Sequence, residues 1–251
     1  MKIKKILVSQ PAPATGKSPY FDIAAKYGFQ VEFRPFIKVE GLTLQEFRAQ
    51  HVEVPGHTAI IFTARHGIDH FFHLCEEMRI TIPEDMKYFC ASETVALYLQ
   101  KYIQYRKRKV FFAPTGKFAD LLPAIKKHMD EKYLLVVSDV TKGNYTDVLD
   151  ENKVNYEKAA FYKTVSNDFG PDEKLDHDML IFFSPEGIHS LKKNFPDYEQ
   201  GEMLIAAFGA GTCKAVTDAG LRLDLSAPTP QNPSMTGALE AFCRDNKVNK
   251  K

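Results

Sequence analysis

The chain has 251 residues, 44% hydrophobic and 26% charged, the balance of an ordinary folded protein. Lysine and arginine number 33 against 32 acidic residues. That near-cancellation provides no overall field for nucleic acid or an anionic membrane.

No apolar run reaches the roughly 18 residues of a membrane helix. The basic start at Lys2, Lys4 and Lys5 is followed only by Ile6, Leu7 and Val8, too short for a secretory segment. Cys75, Cys90, Cys213 and Cys243 form no paired motif, so free thiols and a cytoplasmic location are expected. The length suits one large domain or two modest ones.

In chain order, short apolar runs fall at residues 6–8, 59–62, 88–90, 110–112, 133–137, 180–183 and 204–208. Continuous rather than alternating runs predict strands covered on both faces. Between them, Ile68, Phe71, Phe72 and Cys75 keep helical spacing, and Val95, Leu97, Leu99 and Ile103 keep it more loosely. Strand–helix alternation predicts an α/β fold with parallel sheets.

The chain also repeats. Phe62-Thr63 through Gly67-Ile68 aligns without gaps on Phe182-Phe183 through Gly187-Ile188, 120 residues later. Ala91-Ser92-Glu93-Thr94 aligns on Gly209-Ala210-Gly211-Thr212, and Ala113-Pro114-Thr115 on Ala227-Pro228-Thr229, in the same order. Residues 6–9 correspond to residues 135–138, so the two copies are interleaved. Extended segments at 29–37 and 154–162 are read as two crossings. The expected architecture is two similar parallel-sheet α/β lobes joined by a two-stranded hinge, with a ligand cleft between them. Lobe 1 takes residues 1–36 plus 165–251, and lobe 2 takes residues 38–163.

Several motifs invite chemistry. Thr15-Gly16-Lys17-Ser18 lacks the glycine a phosphate loop needs at position 11, which is Pro11. His66, His70 and His73 share a helix, but the apolar set lies on its other face, so they are read as a solvated stripe. The basic run Arg106-Lys107-Arg108-Lys109 is read as a solvated helix end. The polar tail from Arg244 is expected to fray.

A different set of residues converges. The turn at Gly209 exposes backbone N–H groups at a helix start, which suits a carboxylate or a phosphate. Ser184-Pro185 has the form of a helix cap followed by proline at the first helical position. Thr63, Ser92, Thr94, Ser184 and Thr212 all fall at strand C-terminal ends, where open α/β sheets bind ligands.

At these residues the chain resembles the uroporphyrinogen-III synthase family. The matching pieces are Ile60-Ile61-Phe62-Thr63, Ala159-Ala160-Phe161-Tyr162-Lys163-Thr164, Phe182-Phe183-Ser184-Pro185-Glu186-Gly187, Phe208-Gly209-Ala210-Gly211-Thr212 and Ala227-Pro228-Thr229-Pro230. The resemblance implies dehydrating closure of the linear tetrapyrrole hydroxymethylbilane, with inversion of its last ring. It implies no cofactor and no metal, a small-molecule substrate, transient contact with the enzyme supplying it, and a monomer free of nucleic acid and membrane. Tyr162 corresponds to the family's tyrosine, which assists loss of the terminal hydroxyl. Thr63, Ser92, Thr94, Ser184, Gly209 and Thr212 are the expected carboxylate holders.

The sequence departs from the family in lobe 2. Ala64, Arg65 and His66 follow Thr63 where the family usually has serine first. Ala91 replaces a usual glycine, and Ser138-Asp139 replaces a glycine- or arginine-bearing turn. These departures leave open a second reading, a tetrapyrrole-binding or regulatory protein that kept the fold without the chemistry.

Overall fold

A computed structural model describes residues 1–140, 144–170 and 172–249. In chain order the strands are β1 (Lys5–Val8), β2 (Gln30–Phe33), β3 (Ile37–Gly41), β4 (Ala59–Phe62), β5 (Lys87–Cys90), β6 (Val110–Phe112), β7 (Tyr133–Ser138), β8 (Tyr156–Ser166), β9 (Met179–Phe182), β10 (Leu204–Phe208) and β11 (Leu225–Ala227). The helices are α1 (Pro19–Tyr27), α2 (Leu44–Arg48), α3 (Arg65–Glu77), α4 (Glu93–Tyr98), α5 (Leu122–Lys126), α6 (Asn144–Glu151), α7 (Pro185–Asn194), α8 (Ala210–Asp218) and α9 (Met235–Asp245). Among the described residues, no helix is long and apolar enough to cross a membrane.

The chain divides into two units, one formed by Met1–Lys38 with Val165–Lys251 and the other by Val39–Thr164. It passes from one to the other within β3 and again within β8. The first unit holds a parallel sheet in the order β11-β10-β9-β1-β2. The second holds β3-β8-β7-β4-β5-β6, parallel from β8 to β6. Leaving β3 aside, β6-β5-β4-β7-β8 repeats the order of the first sheet, so β7 answers to β1 and β8 to β2. The interleaving seen in the sequence is this shared strand order.

Both sheets are covered on two faces, which explains their unbroken apolar strands. In the second unit Ile60 and Phe62 face a core with Ile68 and Phe71 of α3, while Ala59 and Ile61 face one with Ile125 and Leu149. In the first, Ile6 and Val8 pack with α1 and α9, and Leu7 packs with α7 and α8. The repeated glycines have a packing cause. A Cβ on Gly187 would stand 3.1 Å from Phe182 Cδ1, and one on Gly67 3.3 Å from Val136 Cγ1. Each is the third residue of its helix and lets that helix settle on the sheet.

Four expectations need correction. The first crossing does not run through residues 29–37: Gln30–Phe33 is β2, the edge strand of the first sheet, and the passage begins at Ile37. Pro35, which has no N–H to donate, separates the two strands. Leu97 is not part of an apolar face but 48% exposed. The basic run is not at a helix end: residues 104–106 are irregular and 107–109 form a turn leading into β6. Nor does the tail fray after Arg244. Val248 is buried, and the Asn249 amide accepts from Ile3 N–H at 3.1 Å and donates to Tyr27 O at 3.0 Å. Lys250 and Lys251, the last of that tail, lie outside the described residues.

Asn249 holds a left-handed backbone (φ 50), which asparagine tolerates better than most residues. Asn249→Ala is expected to cost about 1–3 kcal/mol in urea unfolding, through lost hydrogen bonds to partly buried backbone groups. Asn249→Gly relieves the backbone strain and should retain most of that loss. Unchanged midpoints in both variants would contradict a packed tail.

Candidate functional site

The site is built around an irregularity in β8. Val137 is in register with Ala160, but the next residue, Ser138, is in register with Tyr162. Phe161 is therefore an inserted residue, a bulge of the kind that re-aims side chains. In a regular strand Phe161 and Tyr162 would point to opposite faces. Here both lie in the core beneath α3. Phe161 packs on Phe47 and Phe71 at 4.7 and 5.2 Å between ring centroids, and Tyr162 stacks on His70 at 5.9 Å and 25°.

Two side chains hold the bulge. Gln50, just beyond α2, donates to Ala160 O and accepts from Ala160 N–H, both at 2.8 Å, serving as a substitute strand. Asp139 accepts from Thr164 N–H at 3.2 Å and Val140 N–H at 2.9 Å, while its own N–H donates to Tyr162 O at 3.0 Å. The departure at Ser138-Asp139 thus ties the end of β7 to the bulged strand.

Tyr162 is only 8% exposed. Burial pushes its hydroxyl pKa up, and the Thr63 side chain partly offsets this. His70 is half-buried rather than part of a solvated stripe; His66 and His73 are exposed. Burial, with His66 nearby, lowers the His70 pKa, so its imidazole is neutral near pH 7. Gly41 makes room for it: a Cβ there would stand 2.7 Å from His70 Nδ1.

The other candidates sit at the C-terminal ends of their strands. Ser92 caps α4, its Oγ accepting from Val95 N–H at 3.4 Å, and Ser184 caps α7, accepting from Gly187 N–H at 3.2 Å. Each hydroxyl keeps its O–H free to donate. Thr94 is exposed on α4. Gly209 begins α8 at φ 89, a conformation that requires glycine, and no side chain caps that helix. Thr212 departs from expectation: its side chain is 3% exposed, so it does not face solvent from the sheet edge. In the second unit Ala91 takes the place of Gly209, and α3 begins at Ala64 with no side-chain cap.

The strand ends thus gather Thr63, Ser92 and Tyr162 in one unit and Ser184 and Gly209 in the other. Gln50 was missed in the sequence, His70 was read as part of a solvated stripe, and Asp139 only as part of a turn that departs from the family. Only their placement against the bulge distinguishes them, and no spacing signal marks it. Among the described residues, one group of ligating side chains is close enough for a metal ion: His128, Asp130 and Glu131. It lies at the opposite end of the strands, and Lys87 already pairs with Glu131.

Two α/β units of one strand order, each with hydroxyls or open helix starts at the C-terminal sheet edge, define a duplicated α/β protein. Residues 20–237 match the family profile described as uroporphyrinogen-III synthase HemD. The chain belongs to the uroporphyrinogen-III synthase family, which acts in tetrapyrrole biosynthesis. The uroporphyrinogen-III synthetase of Helicobacter pylori shares the fold at 16% identity and a TM-score of 0.58, over 96% of this chain and 99% of that one. The wild-type enzyme of Thermus thermophilus aligns over 97% of this chain and 98% of its own, at 14% identity and a TM-score of 0.43. No curated protein matches the chain.

The packing around Tyr162 generates a double-mutant test. Gly41→Ala should displace the His70 ring and destabilise the protein by about 1–3 kcal/mol. In a His70→Ala background the same change should be neutral to about 0.5 kcal/mol. Equal costs in both backgrounds, measured by urea unfolding, would contradict the contact.

Proposed function

We propose that this protein cyclises hydroxymethylbilane to uroporphyrinogen III, releasing water and inverting the last pyrrole ring. The observation that carries the reading is the bulge-seated Tyr162, at the position of the family's tyrosine and buried beneath α3. Because burial raises its pKa, Tyr162 stays protonated at neutral pH. It donates to the terminal hydroxyl of the substrate, so that cleavage of the C–O bond releases water.

The substrate is a flexible polycarboxylate, and its closure to one isomer requires that it be held in one conformation. The open starts of α3 and α8 offer backbone N–H groups to carboxylates. Ser92 and Ser184 donate their O–H groups, and Thr94 donates its hydroxyl from an exposed position. Gly209 and Thr212 contribute through the backbone of the α8 start. Arg65, the first residue of α3, adds a guanidinium beside Thr63 in the chain. Positioning of this kind adds no fixed charge beyond Arg65, which agrees with a near-neutral composition. The chemistry proposed uses the side chains and backbone groups alone.

Enzymatically generated hydroxymethylbilane, followed by separation of the porphyrin isomers, tests this reading. The type III isomer is expected in excess; type I alone, the spontaneous product, would overturn it. Tyr162→Phe keeps the ring packing and should slow turnover by about 10²-fold with little change in unfolding midpoint. An unaltered rate would remove Tyr162 from the chemistry.

A further inference from the structure

The second unit contains a cavity of about 660 Å³ whose lining does not include Tyr162. It is formed by the C-terminal half of α3, the segment leading into β5 and the segment leading into β6. It therefore lies at the N-terminal ends of the strands, whereas the candidate site lies at their C-terminal ends. The volume is that of a small-molecule pocket. Its interior is apolar: Ile80, Ile82 and Ile103 line it with Tyr88 and the parallel ring pair of Phe72 and Tyr102, 4.6 Å apart.

The basic run that the fold left without a helix end supplies the rest. Lys107 and Arg108 are exposed, whereas Arg106 and Lys109 are half-buried and line this cavity. Both are held by neutral oxygens. Arg106 donates to Gln104 Oε1 at 2.9 Å, and Lys109 donates to the backbone carbonyl of Glu84. Neither is in an ion pair among the described residues, where the neighbouring Lys101 pairs with Asp69 instead. Glu76 and Glu84 also line the cavity without pairing to them. Two cations held by neutral oxygens at an apolar pocket, outside the described ion pairs, complement an anion carried on an apolar body. A carboxylate can accept from both in charge-assisted hydrogen bonds while its hydrocarbon removes the isoleucine surface from water.

We infer that this cavity is a second ligand site, for an amphipathic carboxylate with one anionic head and an apolar body of about medium acyl-chain size. Nothing in the proposed cyclisation uses it, and its test is independent of that reaction. The experiment is calorimetric titration of the full chain with decanoate, below its micelle concentration, and with decan-1-ol, which has the same apolar body and no charge.

Decanoate should saturate one site and bind about tenfold or more tightly than decan-1-ol. The Arg106→Gln/Lys109→Gln variant should lose that preference. Ile82→Trp, which fills the cavity, should weaken both ligands, and Arg106→Gln/Lys109→Gln should leave the isomer assay unchanged. Equal binding of the two ligands, a preference that survives in the double variant, or no saturable binding of decanoate would overturn the assignment.

Discussion

The arrangement of the second unit depends on one extra residue. In a parallel sheet each strand residue is committed to a face by the period of two, and a tyrosine following a core phenylalanine would be turned away from it. The bulge at Phe161 breaks that rule once, and the surroundings are shaped to receive the result. Gly67 lets α3 lie close to the sheet, and Gly41 leaves space for His70. Gln50 satisfies the Ala160 backbone where a strand partner is missing. A bulge costs ladder hydrogen bonds, and here the Gln50 amide and the Asp139 carboxylate replace them.

The duplicated fold shows what each copy has done with the same scaffold. Both units place a glycine at the third position of the helix after a central strand, and that strand is followed by Thr63 in one unit and by Phe183 in the other. They differ in how the helices begin. Ser184 caps α7, while the matching α3 starts at Ala64 with no side-chain cap. Ser92 caps α4, while the matching α8 starts at Gly209 with none. Within these two matched pairs, each unit has one capped helix and one open start.

Much of this was legible in the sequence because it rests on local rules. Continuous apolar runs follow from two-sided burial, and Ser184-Pro185 marks a helix start wherever it occurs. The repeat at Gly67 and Gly187 reports a close helix–sheet approach. What escaped notice depends on contacts between distant segments. His70 reads as one of three solvated histidines until Tyr162 is placed against it. Asn249 sits in a polar tail, yet its amide binds backbone from the first residues of the chain. The basic run looks like a helix end because the short 3₁₀ turn at Leu99–Lys101 stops the helix early. The buried Thr212 was misread because a strand-end position does not settle which way a helical side chain points.

The central claim is that the bulge turns Tyr162 onto the α3 face, where its ring meets His70, and nuclear magnetic resonance tests it most directly. With selectively labelled tyrosine and histidine, a cross-relaxation peak between the Tyr162 and His70 rings is predicted. The His70 titration should fall below the ordinary 6.5 and move back toward it in Tyr162→Ala, as the ring that buries it is removed. The account would be contradicted by a Tyr162 ring in contact with Leu149 and Val154 on the other face of the sheet, with His70 titrating as an exposed histidine.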